Sequence, residues 1–311
     1  MTQVIPTIAA DETFDDTWPF LARYNDVSGF RMHYVDEGSG PDTLLLLHGE
    51  PTWSYLFRQQ ISVWSKHYRV IAVDHMGFGK SETPQDRTYW LEDHIDNLER
   101  FILKLDLHDL TLVMHDFGGP TGMGVAIRDP KRIKRIVSVN GPTPAGQPDL
   151  IEHVTSNVAK SPWFQWILKA EKEGTLEQVL GQLDYNILST LKLNGFEHNE
   201  IITDAWLQAY RAPFPTPTEA LGAIGWAKGF AKNLHHFEIP DEETKAMLAK
   251  KPALAVWGEA DLTLNHQHFL PLFKQAFPNG QIHILHDVGH YSPEDAPKKI
   301  AQLVIDFIAT S

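Results

Sequence analysis

The sequence predicts an α/β fold in which a mostly parallel sheet is covered by helices on both faces and interrupted by a helical cap. Two observations support this class. Short, continuous apolar runs alternate with segments of helical spacing, which is typical of parallel strands buried on both sides. Between residues 142 and 230 these runs disappear, and aromatic residues and helical spacing recur instead. We therefore expect one core in two parts, 1–141 and 231–311, with the cap over 142–230.

The predicted elements follow one another along the chain. Residues 29–37 alternate apolar and polar side chains, which indicates an antiparallel strand. Short apolar runs predict parallel strands over 43–47, 69–73, 111–114 and 136–139, and the alternation of strands with helices resumes with strands over 253–258 and 281–285. Helical spacing predicts a crossover helix over 91–105 and a closing helix over 296–308.

Composition excludes several functional classes. The net charge of −13 argues against a nucleic-acid partner and against binding to an anionic membrane. The chain has no cysteine, which excludes disulfides, thiolate metal sites and a cysteine nucleophile. We see no basic stretch followed by an apolar run at the start, and no apolar run near the roughly 20 residues that span a bilayer. We expect a cytoplasmic protein, although a periplasmic chain without its leader would also fit.

The most informative segment runs from residue 111 to 120, where an apolar strand turns sharply into a helix. Asp116 should stand at the apex of this turn, and Gly118 and Gly119 supply the small side chains that such a turn needs. A carboxylate is ionised at neutral pH, so it can attack carbon directly and leave an ester on the enzyme. The alternative is an aspartate that merely caps the following helix.

Two further candidates follow later strands, at the sheet edge where ligands bind in open α/β folds. Asp261 lies a few residues after the strand over 253–258, and His290 follows the strand over 281–285. The order along the chain is apex residue, acid, histidine, as in the triad of α/β-hydrolases. Neutral His290 would take a proton from water, and Asp261 would orient His290 and stabilise its imidazolium. Glu259 is the alternative acid.

Other polar groups complete the prediction. The backbone N–H groups of Glu50 and Phe117 could stabilise an oxyanion on the Asp116 ester, while the Glu50 side chain could instead lie behind the site. We expect no metal, because His235-His236 and His266-Gln267-His268 lack the spacing of metal ligands. The glycine-rich segment 77–81 lacks the spacing of a phosphate-binding loop.

Six motifs together resemble haloalkane dehalogenases of the α/β-hydrolase fold. They are HGEPTWSYLFR (48–58), DHMGFGKSETP (74–84), HDFGGP (115–120), YRAPFP (210–215), WGEAD (257–261) and DVGH (287–290). The first is fairly specific to that family, whereas the aspartate turn with its Asp/His pair is shared with epoxide hydrolases. The resemblance implies that Asp116 displaces halide from a small apolar haloalkane, and that water activated by His290 hydrolyses the ester. It implies no cofactor and no metal.

The halide site departs from the family pattern. Those enzymes commonly hold the departing halide with a tryptophan directly after the nucleophile, and with a cap tryptophan or an asparagine in the HGxP turn. Here Phe117 follows the nucleophile and Glu50 occupies the turn. Phenylalanine has no N–H, and the loss of one donor to a developing anion typically costs ~2.7–4 kcal/mol. Trp166 is the better match to the cap donor, and Trp163 is the next.

Two alternatives remain. An epoxide hydrolase would use the same Asp116, His290 and Asp261, with Tyr185 or Tyr210 as the acid for the epoxide oxygen. A protein that binds ligands without catalysis is disfavoured by the intact triad. We expect a small apolar halogenated or epoxide substrate and a monomer or dimer.

Overall fold

Eight strands form one sheet in the computed structural model, which describes residues 8–232 and 237–311. They are β1 (Arg23–Asn25), β2 (Met32–Glu37), β3 (Thr43–Leu47), β4 (Arg69–Val73), β5 (Leu110–His115), β6 (Ile133–Val139), β7 (Ala253–Gly258) and β8 (Gln281–Leu285). Their order across the sheet is β1-β2-β4-β3-β5-β6-β7-β8. The pairs from β4 to β8 are parallel, and β1 and β2 add an antiparallel edge. The predicted fold class is confirmed.

Helices separate the strands. Those of the core are α1 (Arg58–Trp64), α2 (Leu91–Lys104) and α3 (Gly118–Arg128); then, between β6 and β7, come α4 (Leu150–Val158), α5 (Pro162–Glu173), α6 (Leu176–Leu180), α7 (Leu183–Asn194), α8 (Asp204–Arg211) and α9 (Leu221–Lys232). The chain continues with α10 (Glu242–Leu248), α11 (His266–Ala276), α12 (Ser292–Asp295) and α13 (Pro297–Ala309). Short 3-10 turns occupy Ser54–Phe57, Pro130–Arg132 and Asn199–Ile201. In the described ranges, no helix is long and apolar enough to cross a membrane.

The central strands are buried on both faces, which explains their continuous apolar runs. Every residue of β5 and β7 is buried, and α2, α3 and α10 pack together while α1, α12 and α13 form a second group. Because both faces of these strands exclude water, the two groups of helices cover opposite sides of the sheet. Functional side chains are therefore confined to the strand ends and the cap.

Three strands differ from the prediction, and one of them is β2, which begins at Met32 and not at residue 29. β1 was not predicted, because its three residues are too few to show alternation. β6 begins three residues before the predicted run, since Lys134 and Arg135 interrupt its apolar pattern. Arg135 is nevertheless buried, and its guanidinium lies 2.7 Å from the carboxylate of Asp42. A charged side chain can thus occupy a buried strand position when it is paired, and a search for apolar residues does not find such a position.

Candidate active site

Asp116 stands at the apex of the turn between β5 and α3, as the sequence predicts. Its φ of +50° lies in the left-handed region, where a residue with a side chain is strained. The surrounding backbone leaves room only for glycine. A Cβ on Gly118 would lie 2.2 Å from the carbonyl oxygen of Leu47, and one on Gly49 would lie 2.3 Å from Asp116 itself. The strained turn aims the carboxylate outward from the strand end.

The Asp116 carboxylate is buried but well supported. Its Oδ1 accepts a hydrogen bond of 2.8 Å from the backbone N–H of Glu50, and its Oδ2 lies 3.5 Å from Nε2 of His290. Burial opposes the charged form, yet His290 and the Glu50 N–H outweigh burial and lower the pKa of Asp116. The nucleophile candidate is therefore ionised. Glu50 is the backbone donor to it here, while the role of Phe117 as a second donor stays a prediction.

His290 and Asp261 come together with Asp116 although both are far away in the sequence. Nδ1 of His290 lies 3.0 Å from Oδ2 of Asp261, and both side chains are almost fully buried. Asp261 is held by the backbone N–H groups of Thr263 and Leu264, which donate to its Oδ1 at 2.8 and 2.7 Å. The structure thus brings the three predicted residues together, because His290 is hydrogen-bonded to Asp261 and lies within ion-pair distance of Asp116.

The alternative acid lies elsewhere. Glu259 is about half exposed and accepts a hydrogen bond of 2.7 Å from the ring of His286, which is also exposed. A carboxylate on the surface cannot orient the buried His290. The geometry therefore selects Asp261.

Asn140 is a residue of this site that the sequence reasoning missed. Its Nδ2 donates to Oδ2 of Asp261 at 2.7 Å, and its Oδ1 accepts from the hydroxyl of Ser292 at 2.6 Å and the N–H of Gly258 at 3.2 Å. It directly follows β6, so the rule of examining every residue after a strand would have found it. Asn140 ties the acid to the loop that carries His290.

His115, next to the nucleophile, makes a second tie to that loop. One of its nitrogens, Nε2, lies 2.9 Å from the backbone carbonyl oxygen of His290, and a carbonyl can only accept. Burial lowers the pKa of His115 to about 3, so this ring is neutral and carries its proton on Nε2. This hydrogen bond fixes the position of the loop that carries His290 relative to the end of β5.

The charge state of His290 follows from its two carboxylates. Burial disfavours its imidazolium, but the negative charges of Asp261 and Asp116 outweigh burial and raise the pKa of His290 to about 10. Before any reaction the ring is therefore protonated and paired on both sides. The neutral ring that the sequence analysis expects to take a proton from water is therefore not the form present before reaction.

The Glu50 side chain, unlike the carboxylates of Asp116 and Asp261, has no group to pair with in the ranges that the structure describes. Both of its carboxyl oxygens are buried without a hydrogen-bond partner among the described residues. Burial, reinforced by the nearby charge of Asp116, raises the pKa of Glu50 well above its usual range. Glu50 is a neutral acid behind its own backbone N–H, not a second carboxylate.

A small apolar cavity of about 50 Å³ adjoins the nucleophile. Its walls are nearly all apolar and consist of Asp116, Phe117, Pro120, Pro142, Pro144, Leu150, Val154, Asn157, Val158, Phe164, Phe230, Phe237, Leu264 and Phe269. The predicted donors Trp163 and Trp166 stack on each other with ring centres 5.1 Å apart, but it is Phe164 that lines the cavity. Trp226, from α9, packs on Phe117 with ring centres 4.8 Å apart.

The two tyrosines considered as epoxide acids are not among the described residues that line the cavity beside Asp116. Tyr185 is 85% exposed on the cap. Tyr210 is buried, but its hydroxyl donates to Glu294 at 2.6 Å, and Glu294 is also paired with Arg58. Neither hydroxyl is free to protonate an oxygen at Asp116. This geometry does not favour an epoxide hydrolase.

Among residues 8–232 and 237–311, no three histidines, aspartates or glutamates are arranged to hold a metal ion. His266 and His268 lie at the start of α11. The pair His235-His236 lies outside the described residues.

Comparisons with known proteins identify relatives over nearly the full length of the chain. A family model described as the alpha/beta hydrolase fold matches residues 42–297. Haloalkane dehalogenase 2 of Mycobacterium tuberculosis is 31% identical over 290 residues, which cover 93% of this chain and 95% of the relative. A cis-3-alkyl-4-alkyloxetan-2-one decarboxylase of Shewanella oneidensis is 30% identical over 301 residues, which cover 94% and 90%.

Solved structures show the same fold. The haloalkane dehalogenase DatA from Agrobacterium tumefaciens superimposes with a TM-score of 0.72 at 25% identity, covering 93% of this chain and 96% of that one. The tetrameric haloalkane dehalogenase DpaA from Paraglaciecola agarilytica gives a TM-score of 0.71 at 25% identity, covering 92% of each chain.

Proposed function

Since this chain belongs to the haloalkane dehalogenase family of α/β-hydrolase-fold enzymes, we propose that it hydrolyses carbon–halogen bonds of small haloalkanes through an ester on Asp116. One observation carries the proposal. Asp116 is an ionised, strained carboxylate that borders an apolar cavity and lies within 3.5 Å of a histidine backed by a second acid. This arrangement suits attack on an apolar electrophile followed by hydrolysis.

In the first step, an oxygen of Asp116 attacks the carbon that bears the halogen. A carbon–oxygen bond forms, the carbon–halogen bond breaks, and the halide leaves with its electron pair. The apolar walls strip water from the carboxylate, which strengthens it as a nucleophile. The hydrogen bond from the Glu50 N–H to Oδ1 leaves Oδ2 as the attacking atom, on the side of His290.

In the second step, His290 acts as the base. Ester formation removes the charge of Asp116, which is one of the two charges that raise the pKa of His290. The ring then releases its proton to solvent, which balances the charge of the departing halide, and the neutral ring can accept a proton from water. Hydroxide attacks the ester carbonyl, the Glu50 N–H stabilises the oxyanion, and the alcohol leaves with a proton from His290. Substrate attachment thus activates its own hydrolysis.

The donor to the departing halide stays a prediction. Trp166 and Trp163 lie on the cap beside Phe164 without lining the cavity. Trp226 is a third candidate, because its Nε1 is buried without a hydrogen-bond partner in the described part of the chain and its ring packs on Phe117. Separate Trp-to-Phe variants would identify the donor by a selective loss of the alkylation rate.

A second candidate function is the opening of oxetan-2-ones. It is favoured because the Shewanella relative is a decarboxylase of such lactones and because no tryptophan lines the described cavity wall. Asp116 would bond to the saturated ring carbon attached to the ring oxygen. The bond between that carbon and the ring oxygen would break, and its electron pair would remain on the new carboxylate. Such a leaving group is less dependent on a halide donor.

The experiment incubates the protein separately with a dibromoalkane and with a cis-3,4-dialkyl oxetan-2-one. Bromide release measures the first reaction, and loss of the lactone measures the second. In a His290→Phe variant the dibromoalkane should add its bromoalkyl mass to the peptide that contains Asp116. The matched control is the double variant that also carries Asp116→Asn, which should gain no mass. Lactone turnover without bromide release would select the second function, and no adduct with either substrate would refute both.

Location and assembly complete the proposal. We propose a cytoplasmic protein that works as a monomer or dimer, whereas the DpaA relative is tetrameric. Gel filtration with light scattering would decide the number of copies, and fractionation of the source cells would separate cytoplasm from periplasm.

A further inference from the structure

The loop that carries His290 contacts the cap directly. We call residues 286–291 the histidine loop, and we call residues 194–198, at the end of α7 and just after it, the cap segment. The backbone N–H of His290 donates a hydrogen bond of 2.7 Å to the carbonyl oxygen of Gly195. The base of the proposed reaction is therefore tied to the cap through its own backbone.

Asp295 joins the same two segments with its carboxylate. Its Oδ1 accepts a hydrogen bond of 3.0 Å from the backbone N–H of His198, in the cap segment. Its Oδ2 accepts one of 2.9 Å from the backbone N–H of Gly289, in the histidine loop. The N–H of Glu197 donates to both oxygens, at 3.3 and 3.4 Å. A carboxylate can accept on both sides, so Asp295 links the cap to the residue before His290.

The two segments approach so closely that no side chain fits at Gly289. A Cβ there would lie 2.0 Å from the carbonyl oxygen of Gly195. Gly289 does not have a positive φ, so its backbone conformation would accept alanine. Glycine is required here because of the contact with the cap segment and not because of the backbone conformation.

The cap segment also holds the loop of the triad acid. The hydroxyl of Thr263 donates to the carbonyl oxygen of Asn194 at 2.9 Å, and the N–H of Thr263 donates to Oδ1 of Asp261 at 2.8 Å. The nucleophile is held differently, by the backbone N–H of Glu50 in the core. Contacts with the cap segment therefore act on His290 and its acid.

We propose that Asp295 is a positioning residue for His290, which it holds in place by clamping the histidine loop to the cap segment. This inference rests on the proposed function and concerns its second step, in which His290 takes a proton from water. The first step needs the Asp116 carboxylate and the substrate. Loss of the clamp should therefore slow hydrolysis of the ester and spare its formation.

The test is Asp295→Asn, whose amide has a single accepting oxygen and can satisfy only one side of the clamp. The rate constant for loss of the bromoalkyl adduct should fall about 10–100-fold, as for the loss of a hydrogen bond to a charged group. Because ester formation is spared, kcat and KM should fall together while kcat/KM stays within about twofold of the wild type. Rapid-quench mass spectrometry of the adduct and steady-state bromide release measure these constants.

Two further variants control this result. Gly289→Ala separates the two segments by collision without removing a charge, and it should show the same selective loss of kcat. Asp287→Asn removes a negative charge from an exposed position of the histidine loop, where asparagine tolerates the positive φ, and it should keep both constants within about twofold. An unchanged rate of adduct loss in both clamp variants, or equal losses of kcat and kcat/KM, would overturn the positioning role and leave dehalogenation intact.

If the wild type releases no bromide from any substrate, the proposed function fails, and NMR titration of the His290 ring tests the clamp without catalysis. A released ring lies farther from the carboxylates of Asp261 and Asp116. Its pKa should therefore fall by about 1 in Asp295→Asn and Gly289→Ala, and stay unchanged in Asp287→Asn. A wild-type pKa in both clamp variants would refute the clamp as well.

Discussion

His290 and His94 are equally buried, each with about 1% of its surface exposed, yet their charge states are opposite. His290 lies between Asp261 and Asp116, whose charges raise its pKa to about 10. His94, on α2, packs on Trp226 with ring centres 4.7 Å apart, and burial lowers its pKa to about 3. Burial alone thus makes a histidine neutral, whereas two neighbouring carboxylates keep His290 protonated.

The surroundings of His94 show what a buried histidine does without an acid. Neither of its ring nitrogens has a hydrogen-bond partner among the described residues, and His75 lies beside it with ring centres 5.7 Å apart. His48 completes this group, and its Nε2 accepts from the backbone N–H of His75 at 3.0 Å. These rings fill space as neutral aromatic groups.

Replacing Asp116 with asparagine should abolish the reaction and change the surroundings of His290. An amide cannot attack the substrate, so bromide release should fall roughly 10⁴-fold or more. The pKa of His290 should also fall, because one of its two carboxylates is gone. NMR titration of His290 measures this shift, and circular dichroism checks that the fold is intact. Full turnover by the amide variant would refute the role of Asp116.

Asp261→Asn should separate the two chemical steps. The base loses the acid that orients it, and overall turnover should fall roughly 10³–10⁴-fold. Ester formation at Asp116 should continue, so the covalent adduct should accumulate and appear by mass spectrometry. Glu259→Gln is the matched control and should change turnover less than twofold. A large loss in the control would show that the wrong acid had been assigned.

Asn140→Ala removes the amide that donates to Asp261 at 2.7 Å. Hydrogen bonds to charged groups contribute about 1.5–3 kcal/mol, so we expect kcat to fall about 10–100-fold while KM changes little. Steady-state kinetics measure the two constants. Asn140→Ser, which keeps a donor, should recover part of the loss, whereas equal losses in both variants would argue against a positioning role.

His94→Leu tests the buried histidine that has no carboxylate beside it. The variant should keep turnover within twofold of the wild type. Because the folded pKa of His94 lies near 3 and the unfolded one near 6.5, its neutral form stabilises the fold above pH 6.5. As the pH falls from 6.5 towards 3, this contribution to the free energy of unfolding is lost. At pH 4.5 the loss reaches up to about 3 kcal/mol. The wild type should therefore lose more stability than the variant between pH 7.5 and 4.5 in denaturant titrations. Parallel losses would contradict the pKa shift.

Much of the fold and the triad could be predicted from the sequence because both depend on local patterns. The strands β3, β4, β7 and β8 lie where continuous apolar runs predicted them. Asp116 and His290 were found because the carboxyl ends of parallel strands meet at one edge of the sheet. These inferences need only the order of elements and the chemistry of residues next to them.

The cap was less predictable, because helical spacing does not reveal how a helix is rotated over the site. Trp166 and Trp163 were the natural donor candidates, yet Phe164 between them lines the cavity. Tyr210 carried the right hydroxyl, but its partner Glu294 lies 84 residues away. Which neighbour a cap side chain contacts is a property of tertiary packing.

The sheet and the sharp turn that carries Asp116 follow from residues near one another along the chain, so the sequence alone was enough to predict them. Only the tertiary structure decided that His290 is charged and His94 neutral, that Glu50 is a neutral acid, and that an apolar cavity adjoins Asp116. Charge state and cavity shape depend on groups brought together from distant segments. Burial and electrostatic energy are set by those neighbours in space and not by residues adjacent in sequence.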